Sequence, residues 1–130
     1  MTARAALNAG ELMTSVASLP EPVRRAIALI DDRKGDRIVV IDLRGLYDAT
    51  DFFLIASGTS DAHVRGIADG LERGMLEDGQ RANHVEGLPA GRWVLLDFVD
   101  FVVHLFHPET RAFYQLERLW QDAPAYRPGT

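Results

Sequence analysis

Two aspartates and a histidine interrupt the most apolar stretch of the chain, which reads WVLLDFVDFVVHLFHPETRAFYQLERLW over residues 93–120. Asp97, Asp100 and His104 carry side chains of the kinds used for acid–base catalysis and for metal binding. The same side chains also suit a sheet face that is not part of the core. The choice between these interpretations largely decides whether the protein is an enzyme.

A catalytic metal pair needs at least two carboxylates that converge on one face. Asp97 and Asp100 are three residues apart, which would place them on opposite faces of one continuous strand. They approach each other only by flanking a turn, where acidic residues commonly cap the backbone. The sequence therefore gives a metal pair little support. The acidic residues considered for such a site are Asp42, Asp48, Asp51, Asp97 and Asp100.

The segment Gly58-Thr59-Ser60 lies where a predicted strand passes into a predicted helix, a position at which backbone amides can bind a phosphate. However, Ser60 is a good N-cap, Asp61 would repel an anion, and the full P-loop pattern is missing. The chain has no cysteine, and its histidines (63, 84, 104 and 107) do not form a zinc-binding pattern. We expect no catalytic residues, no metal and no cofactor. The alternative is a small metal-dependent nucleotidyltransferase that uses the GTS loop and nearby aspartates.

Composition and charge indicate one globular domain. The chain has 130 residues, of which 47% are hydrophobic and 25% charged. It has no apolar run long enough to span a membrane and no secretory signal, so the cytoplasm is the expected compartment. The net charge is −5 and no basic cluster appears, which argues against strong direct nucleic-acid binding. If the protein works near nucleic acid, a basic protein is therefore the more suitable partner, since opposite surface potentials favour encounter.

Apolar periodicity predicts an α/β fold, a single domain with a mixed β-sheet of about five strands flanked by helices. Residues 1–19 are predicted to be a loosely ordered extension, 20–122 the domain, and 123–130 a tail that frays. The predicted strands span 37–43, 52–57, 83–86, 93–98 and 101–106, with the first two antiparallel. The residues predicted to face the core from three helices are Val23, Ile27 and Ile30; Val64, Ile67, Leu71 and Met75; and Phe113, Leu116 and Trp120.

Three glycines, Gly66, Gly70 and Gly74, recur every four residues within the second predicted helix. Because residues i and i+4 share a helix face, the glycines form a smooth groove. Either a sheet or another helix packs closely in it, or the glycines are exposed and merely tolerated. The sequence does not choose between these two interpretations.

The hairpin 93–106 separates into two faces. Whether its turn centres on Val99-Asp100 or on Phe98-Val99, even-numbered positions pair with odd-numbered ones, so both registers give the same faces. One face is wholly apolar and must be core: Val94, Leu96, Phe98, Phe101, Val103 and Leu105. The other, called the mixed face below, carries Trp93, Leu95, Asp97, Val102, His104 and Phe106. We expect the mixed face to be a partly exposed interaction surface; the alternative is a second core layer beneath a helix.

Several motifs, in order along the chain, resemble the ribosomal silencing factor family, also called RsfS or Iojap. They are TDFF-x4-GTS, VEG and WxxxDFxDxxxH…R-x-x-Y-x-LExLW, and the resemblance runs from about Val23 to Pro124. It implies a nucleotidyltransferase-like fold without the catalytic carboxylates. It also implies a translational repressor that binds the L-fourteen protein of the large ribosomal subunit and sterically blocks joining of the small subunit. Homodimerisation through the same apolar face is a further alternative.

The resemblance also implies which residues bind the ribosomal protein. Carried over by position, the contact residues are Trp93, Leu95, Asp97, Phe98, Asp100 and Phe101, with His104, Gly58 and Ser60 in supporting positions. One departure concerns the turn, where the family usually has glycine and this chain has Val99. Because valine resists positive φ, a primed two-residue turn is not expected here.

Overall fold

The computed structural model describes residues 18–128, so almost all of the predicted extension at 1–19 lies outside the described part. The helices are α1 (Glu21–Asp32), α2 (Asp61–Glu77), α3 (Pro108–Tyr114) and α4 (Leu116–Leu119). The strands are β1 (Asp36–Asp42), β2 (Phe52–Ser57), β3 (His84–Glu86), β4 (Trp93–Asp97), β5 (Phe101–Phe106) and β6 (Ala125–Tyr126). Within residues 18–128, no helix is long and apolar enough to cross a membrane.

The six strands form one mixed sheet in the order β3-β4-β5-β2-β1-β6, which confirms the α/β fold class. β2 and β5 are parallel, whereas the pairs β1/β2, β4/β5 and β3/β4 are antiparallel. The predicted fraying from residue 123 is wrong for the first part of the tail. Ala125 and Tyr126 pair with β1, and the Asp42 amide donates to the Pro124 carbonyl at 2.9 Å. The tail thereby pairs with backbone groups of β1 that would otherwise lie free at the edge of the sheet.

α1 and α2 cover one face of the sheet, called the covered face below. α2 begins at the predicted N-cap, because the Ser60 side chain accepts a hydrogen bond from the His63 amide. All four predicted core residues of α2 are fully buried, as are Val23 and Ile30 of α1, whereas Ile27 is half-buried. They meet the apolar residues of the hairpin in one core. The 3.6-residue period therefore predicted this layer correctly.

The glycine groove of α2 is occupied by α1 over part of its length. A Cβ atom on Gly74 would lie 2.5 Å from Leu29 Cδ2, and one on Gly70 would lie 2.8 Å from Arg33 Cζ. A Cβ on Gly66 would meet nothing within 4 Å. Both interpretations of the glycine repeat therefore apply, the close approach of a helix at Gly70 and Gly74 and tolerance at Gly66.

The single closing helix predicted from the sequence is wrong. Gln115 adopts a left-handed conformation with φ 48°, which separates α3 from α4. The buried Arg111 guanidinium then bonds the Glu117 carboxylate at 2.9 Å and the Ser57 hydroxyl at 2.9 Å. Because the helix breaks, Phe113 does not share a face with Leu116 and Trp120, which are half-buried against the sheet. The side chain of Phe113 is 79% exposed.

Candidate docking surface

The hairpin has the predicted division into two faces. β4 pairs with β5 so that Trp93 lies opposite Phe106 and Leu95 opposite His104. All six residues of the predicted core face are buried. On the mixed face, His104 and Phe106 are buried, whereas Trp93, Leu95, Asp97 and Val102 are only half-buried. The mixed face thus exposes part of an apolar strand pair, and it does so beside a carboxylate.

Aromatic rings extend the mixed face towards the closing helices. The Trp93 ring centroid lies 4.8 Å from that of Phe106 and 5.0 Å from that of Tyr114. Tyr114 packs in turn against the exposed Phe113 at 4.9 Å. Sequence reasoning did not single out Tyr114 as a surface residue, although it is the tyrosine of the R-x-x-Y motif. Exposed aromatic side chains around a half-buried tryptophan are typical of protein–protein interfaces.

His104 anchors the inner part of this surface. Trp93 Nε1–H donates to His104 Nδ1 at 3.1 Å, and the Phe53 ring packs edge-on against the imidazole with centroids 4.5 Å apart. Burial lowers the pKa of His104 to about 4, so the ring is neutral near pH 7. Its second nitrogen, Nε2, is buried and has no hydrogen-bond partner in the described part of the chain.

In the turn between β4 and β5, Val99 does adopt positive φ, at 74°, which corrects the premise that valine resists it. Residues 98–100 separate the two strands, one residue more than in a two-residue loop. The Asp97 carboxylate accepts the Val99 amide at 2.7 Å, and the Thr50 hydroxyl donates to the Val99 carbonyl at 2.9 Å. The Asp100 amide also donates to the Phe98 carbonyl, the i to i+2 pattern of a γ-turn. Three hydrogen bonds therefore hold a backbone conformation that valine disfavours.

The structure divides the six predicted contact residues between two faces and a turn. Trp93, Leu95 and Asp97 lie together on the mixed face. Asp100 is exposed in the turn. Phe98 and Phe101 stack on each other on the covered face, with exposed fractions of 6% and 2%. The two phenylalanines can support the turn from within the core, whereas the other four residues have area open to a partner.

The acidic residues do not assemble into a metal site. Among residues 18–128, no group of three or more histidine, cysteine or acidic side chains could hold a metal ion. Asp42 is paired with Arg44, with 2.7 Å between Oδ2 and Nη2. Although burial raises the pKa of Asp42, hydrogen bonds and charge attraction from Arg44 outweigh it and lower the pKa. Asp48, Asp51 and Asp100 are exposed at the same end of the sheet and give it a negative surface.

The GTS segment is closed by bonds within the chain. The Gly58 amide donates to the Phe106 carbonyl, and the Thr59 amide donates to His63 Nδ1 at 2.8 Å. A Cβ atom on Gly58 would lie 2.9 Å from the Val64 backbone nitrogen, which explains the need for glycine. The amides of Gly58, Thr59 and His63 are therefore already occupied. Helix capping, as predicted, accounts for this segment without a bound phosphate.

Fold and surface together describe a small α/β protein whose sheet has one face covered by α1 and α2. The opposite face has a second, smaller core, at whose margin Trp93 and Val102 stay half-buried. A family model described as "Ribosomal silencing factor during starvation" matches residues 16–129. A ribosomal silencing factor from Halalkalibacterium halodurans is 41% identical over 104 residues, which cover 80% of this chain and 89% of that protein. The chain belongs to the ribosomal silencing factor family, as the motifs of the sequence had indicated.

Two further comparisons extend this result. A crystal structure of a protein from Chromobacterium violaceum is similar with a TM-score of 0.76 and 33% identity, covering 78% of this chain and 84% of that one. A mouse protein named "Mitochondrial assembly of ribosomal large subunit protein 1" is 34% identical over 97 residues, covering 72% of this chain and 42% of that protein. The similarity in structure therefore accompanies similarity in sequence.

Proposed function

We propose that the protein is a translational repressor that docks on the L-fourteen protein of the large ribosomal subunit. Bound there, it sterically prevents the small subunit from joining. The observation that carries the proposal is the half-buried Trp93 on the mixed face, within a chain of the ribosomal silencing factor family. A regulator of this kind needs a binding surface rather than a catalytic centre, and it would act in the cytoplasm, where bacterial ribosomes are found.

Three properties of the mixed face support docking. Trp93, Leu95 and Val102 offer apolar area, which provides most of the binding energy in protein interfaces. Tyr114 widens that area next to Trp93. The acidic turn lies at one end of the same hairpin, and a negative rim favours encounter with a basic ribosomal protein. The net charge of −5 has the same sign.

Co-sedimentation with purified large subunits tests the proposal, together with an assay of subunit joining. We expect the unaltered protein to sediment with large subunits and to inhibit joining. Trp93→Ala should weaken binding by about 30-fold or more, because a central tryptophan commonly contributes 2 kcal/mol or more to an interface. Leu76→Ala is the matched control, since Leu76 is an exposed apolar residue of α2 on the other side of the sheet.

Two results would contradict the proposal. If Trp93→Ala binds and inhibits as the unaltered protein does, the mixed face is not the docking surface. If the protein sediments with large subunits but leaves joining unaffected, it is a ribosome-binding protein without the proposed steric action. Light scattering on the free protein would show whether it forms homodimers, which would compete with docking if they used the mixed face.

A further inference from the structure

His104 contains a buried polar atom that the stability of the fold does not explain. Its Nε2 has no hydrogen-bond partner in residues 18–128, and the residue is only 5% exposed. An unpaired buried donor destabilises the folded state, so proteins rarely retain one without a reason. The reason must lie in what the rest of the imidazole does.

The other ring nitrogen has a defined role. His104 Nδ1 accepts the indole N–H of Trp93 at 3.1 Å. A neutral imidazole with an unprotonated Nδ1 carries its proton on Nε2, which then becomes the donor without a partner. Burial, which lowers the pKa of His104 to about 4, keeps the ring in this neutral form. The unpaired Nε2 is thus a consequence of using Nδ1 as an acceptor.

The surroundings of His104 are apolar and would accept an apolar residue. Phe53 packs edge-on at 4.5 Å, and the Phe106 ring lies nearly parallel at 6.4 Å. A leucine in this position would remove the unpaired donor and keep the contact with the rings. Packing alone therefore does not favour histidine over leucine here.

We propose that His104 is a positioning residue for Trp93. The Nδ1 atom of His104 fixes the indole ring of Trp93 in the orientation that the partner protein binds. The inference rests on the proposed function, because it takes Trp93 as a contact of the ribosomal protein. The indole contacts Phe106 and Tyr114 through its rings, but only the bond to His104 fixes the direction of its N–H. Without that acceptor the half-buried N–H turns towards water, and the exposed edge of Trp93 changes with it.

The test compares His104→Leu with His104→Asn in the full chain. Asparagine places an oxygen close to the position of Nδ1 and keeps an acceptor for Trp93, whereas leucine keeps only the apolar contact. For each variant, three quantities are measured: the indole ¹H–¹⁵N resonance of Trp93, the Tm, and the Kd for large subunits. The chain has two tryptophans, so Trp120→Phe identifies the Trp93 resonance.

We expect His104→Leu to shift the Trp93 indole resonance and to weaken binding about 10-fold, the effect of losing one orienting hydrogen bond. Its Tm should equal or exceed that of the unaltered protein, because the unpaired donor has gone. His104→Asn should bind within about 3-fold of the unaltered protein, since the acceptor is retained. A fall in binding without a fall in Tm is the result that a purely structural role would not give.

Two outcomes would overturn the inference alone: full binding by His104→Leu while Trp93→Ala binds weakly, or equal losses of Tm and binding in both His104 variants. Full binding by Trp93→Ala would instead overturn the proposed docking surface itself. The two failures are therefore distinguishable in one set of measurements.

Discussion

The hairpin residues on the two faces of the sheet are buried to different extents. The covered face buries only apolar side chains from the hairpin, under the long helices α1 and α2. The mixed face lies under the short helices α3 and α4 and leaves Trp93, Leu95 and Val102 half-buried. It also holds a histidine nitrogen without a partner among the described residues. The apolar packing of the covered face is what stability of the fold requires. The exposed parts of the half-buried apolar residues and the unpaired nitrogen of the mixed face do not stabilise the fold.

The largest expected difference between the two faces concerns two neighbouring leucines on β4. Leu96 is fully buried on the covered face, so Leu96→Ala should lower the free energy of unfolding by about 3 kcal/mol. Leu95 is half-buried on the mixed face, and Leu95→Ala should cost about 1 kcal/mol or less. Urea unfolding measures both values, and co-sedimentation should show weaker ribosome binding for Leu95→Ala. Equal losses of stability for the two variants would remove the distinction between the faces.

The pH dependence of stability tests the buried imidazole. The pKa of His104 is lowered by burial from 6.5 to about 4 in the folded protein. Between these values the unfolded chain binds a proton that the folded chain does not. The contribution of the neutral ring to the free energy of unfolding is therefore fully present above pH 6.5. It falls by about 3 kcal/mol in total as the pH drops from 6.5 to about 4.

Urea unfolding at a series of pH values checks this dependence, with His104→Leu as the control. Carboxylates titrate in both proteins, so the difference between the two curves isolates His104. The difference should grow as the pH falls from 6.5. Parallel curves would show that the imidazole of His104 is protonated as easily in the folded state as in the unfolded one.

A substitution in the turn that joins β4 and β5 should change stability by a smaller amount. Val99 holds φ 74°, a conformation that glycine adopts without strain. Val99→Gly should therefore raise the free energy of unfolding by about 1 kcal/mol. Thermal unfolding measures the change, and Thr50→Val is a useful companion because it removes the hydroxyl that bonds the Val99 carbonyl. A loss of stability in Val99→Gly would mean that the valine side chain contributes more than its backbone strain costs.

The smallest expected effect concerns the helix layer on the covered face. Gly66→Ala should raise stability by about 0.5 kcal/mol, since its Cβ meets nothing and alanine favours helix. Gly74→Ala should give no such gain, because its Cβ would press against Leu29. Thermal unfolding of the two variants side by side measures the difference. An equal gain in both would show that α1 does not approach α2 closely at Gly74.

Local patterns predicted the parts of the structure that depend on nearby residues. The two-residue period of the hairpin gave both faces, and Ser60 marked the start of α2, because neither feature needs distant contacts. The break at Gln115 was not predictable in this way, since the Arg111 that spans it also binds Ser57, far away in the sequence. Pairing of Ala125 with β1 and the bond from Thr50 to Val99 are likewise long-range.

The hydrogen bond between Trp93 and His104 could be predicted in part from the sequence. The register places Leu95 opposite His104, so Trp93 is its diagonal neighbour on the mixed face. Diagonal pairs lie within reach of long aromatic side chains. The pattern therefore allowed the contact, but the direction of the indole N–H depends on χ angles that no sequence period determines.

A photo-crosslinking residue in place of Trp93 tests the central claim most directly. With purified large subunits, position 93 should crosslink to the L-fourteen protein, while the same residue at position 76, on the helix layer of the covered face, should not. Crosslinking of that protein from position 76 but not from position 93 would contradict the account, because it would assign docking to the helix layer rather than to the mixed face.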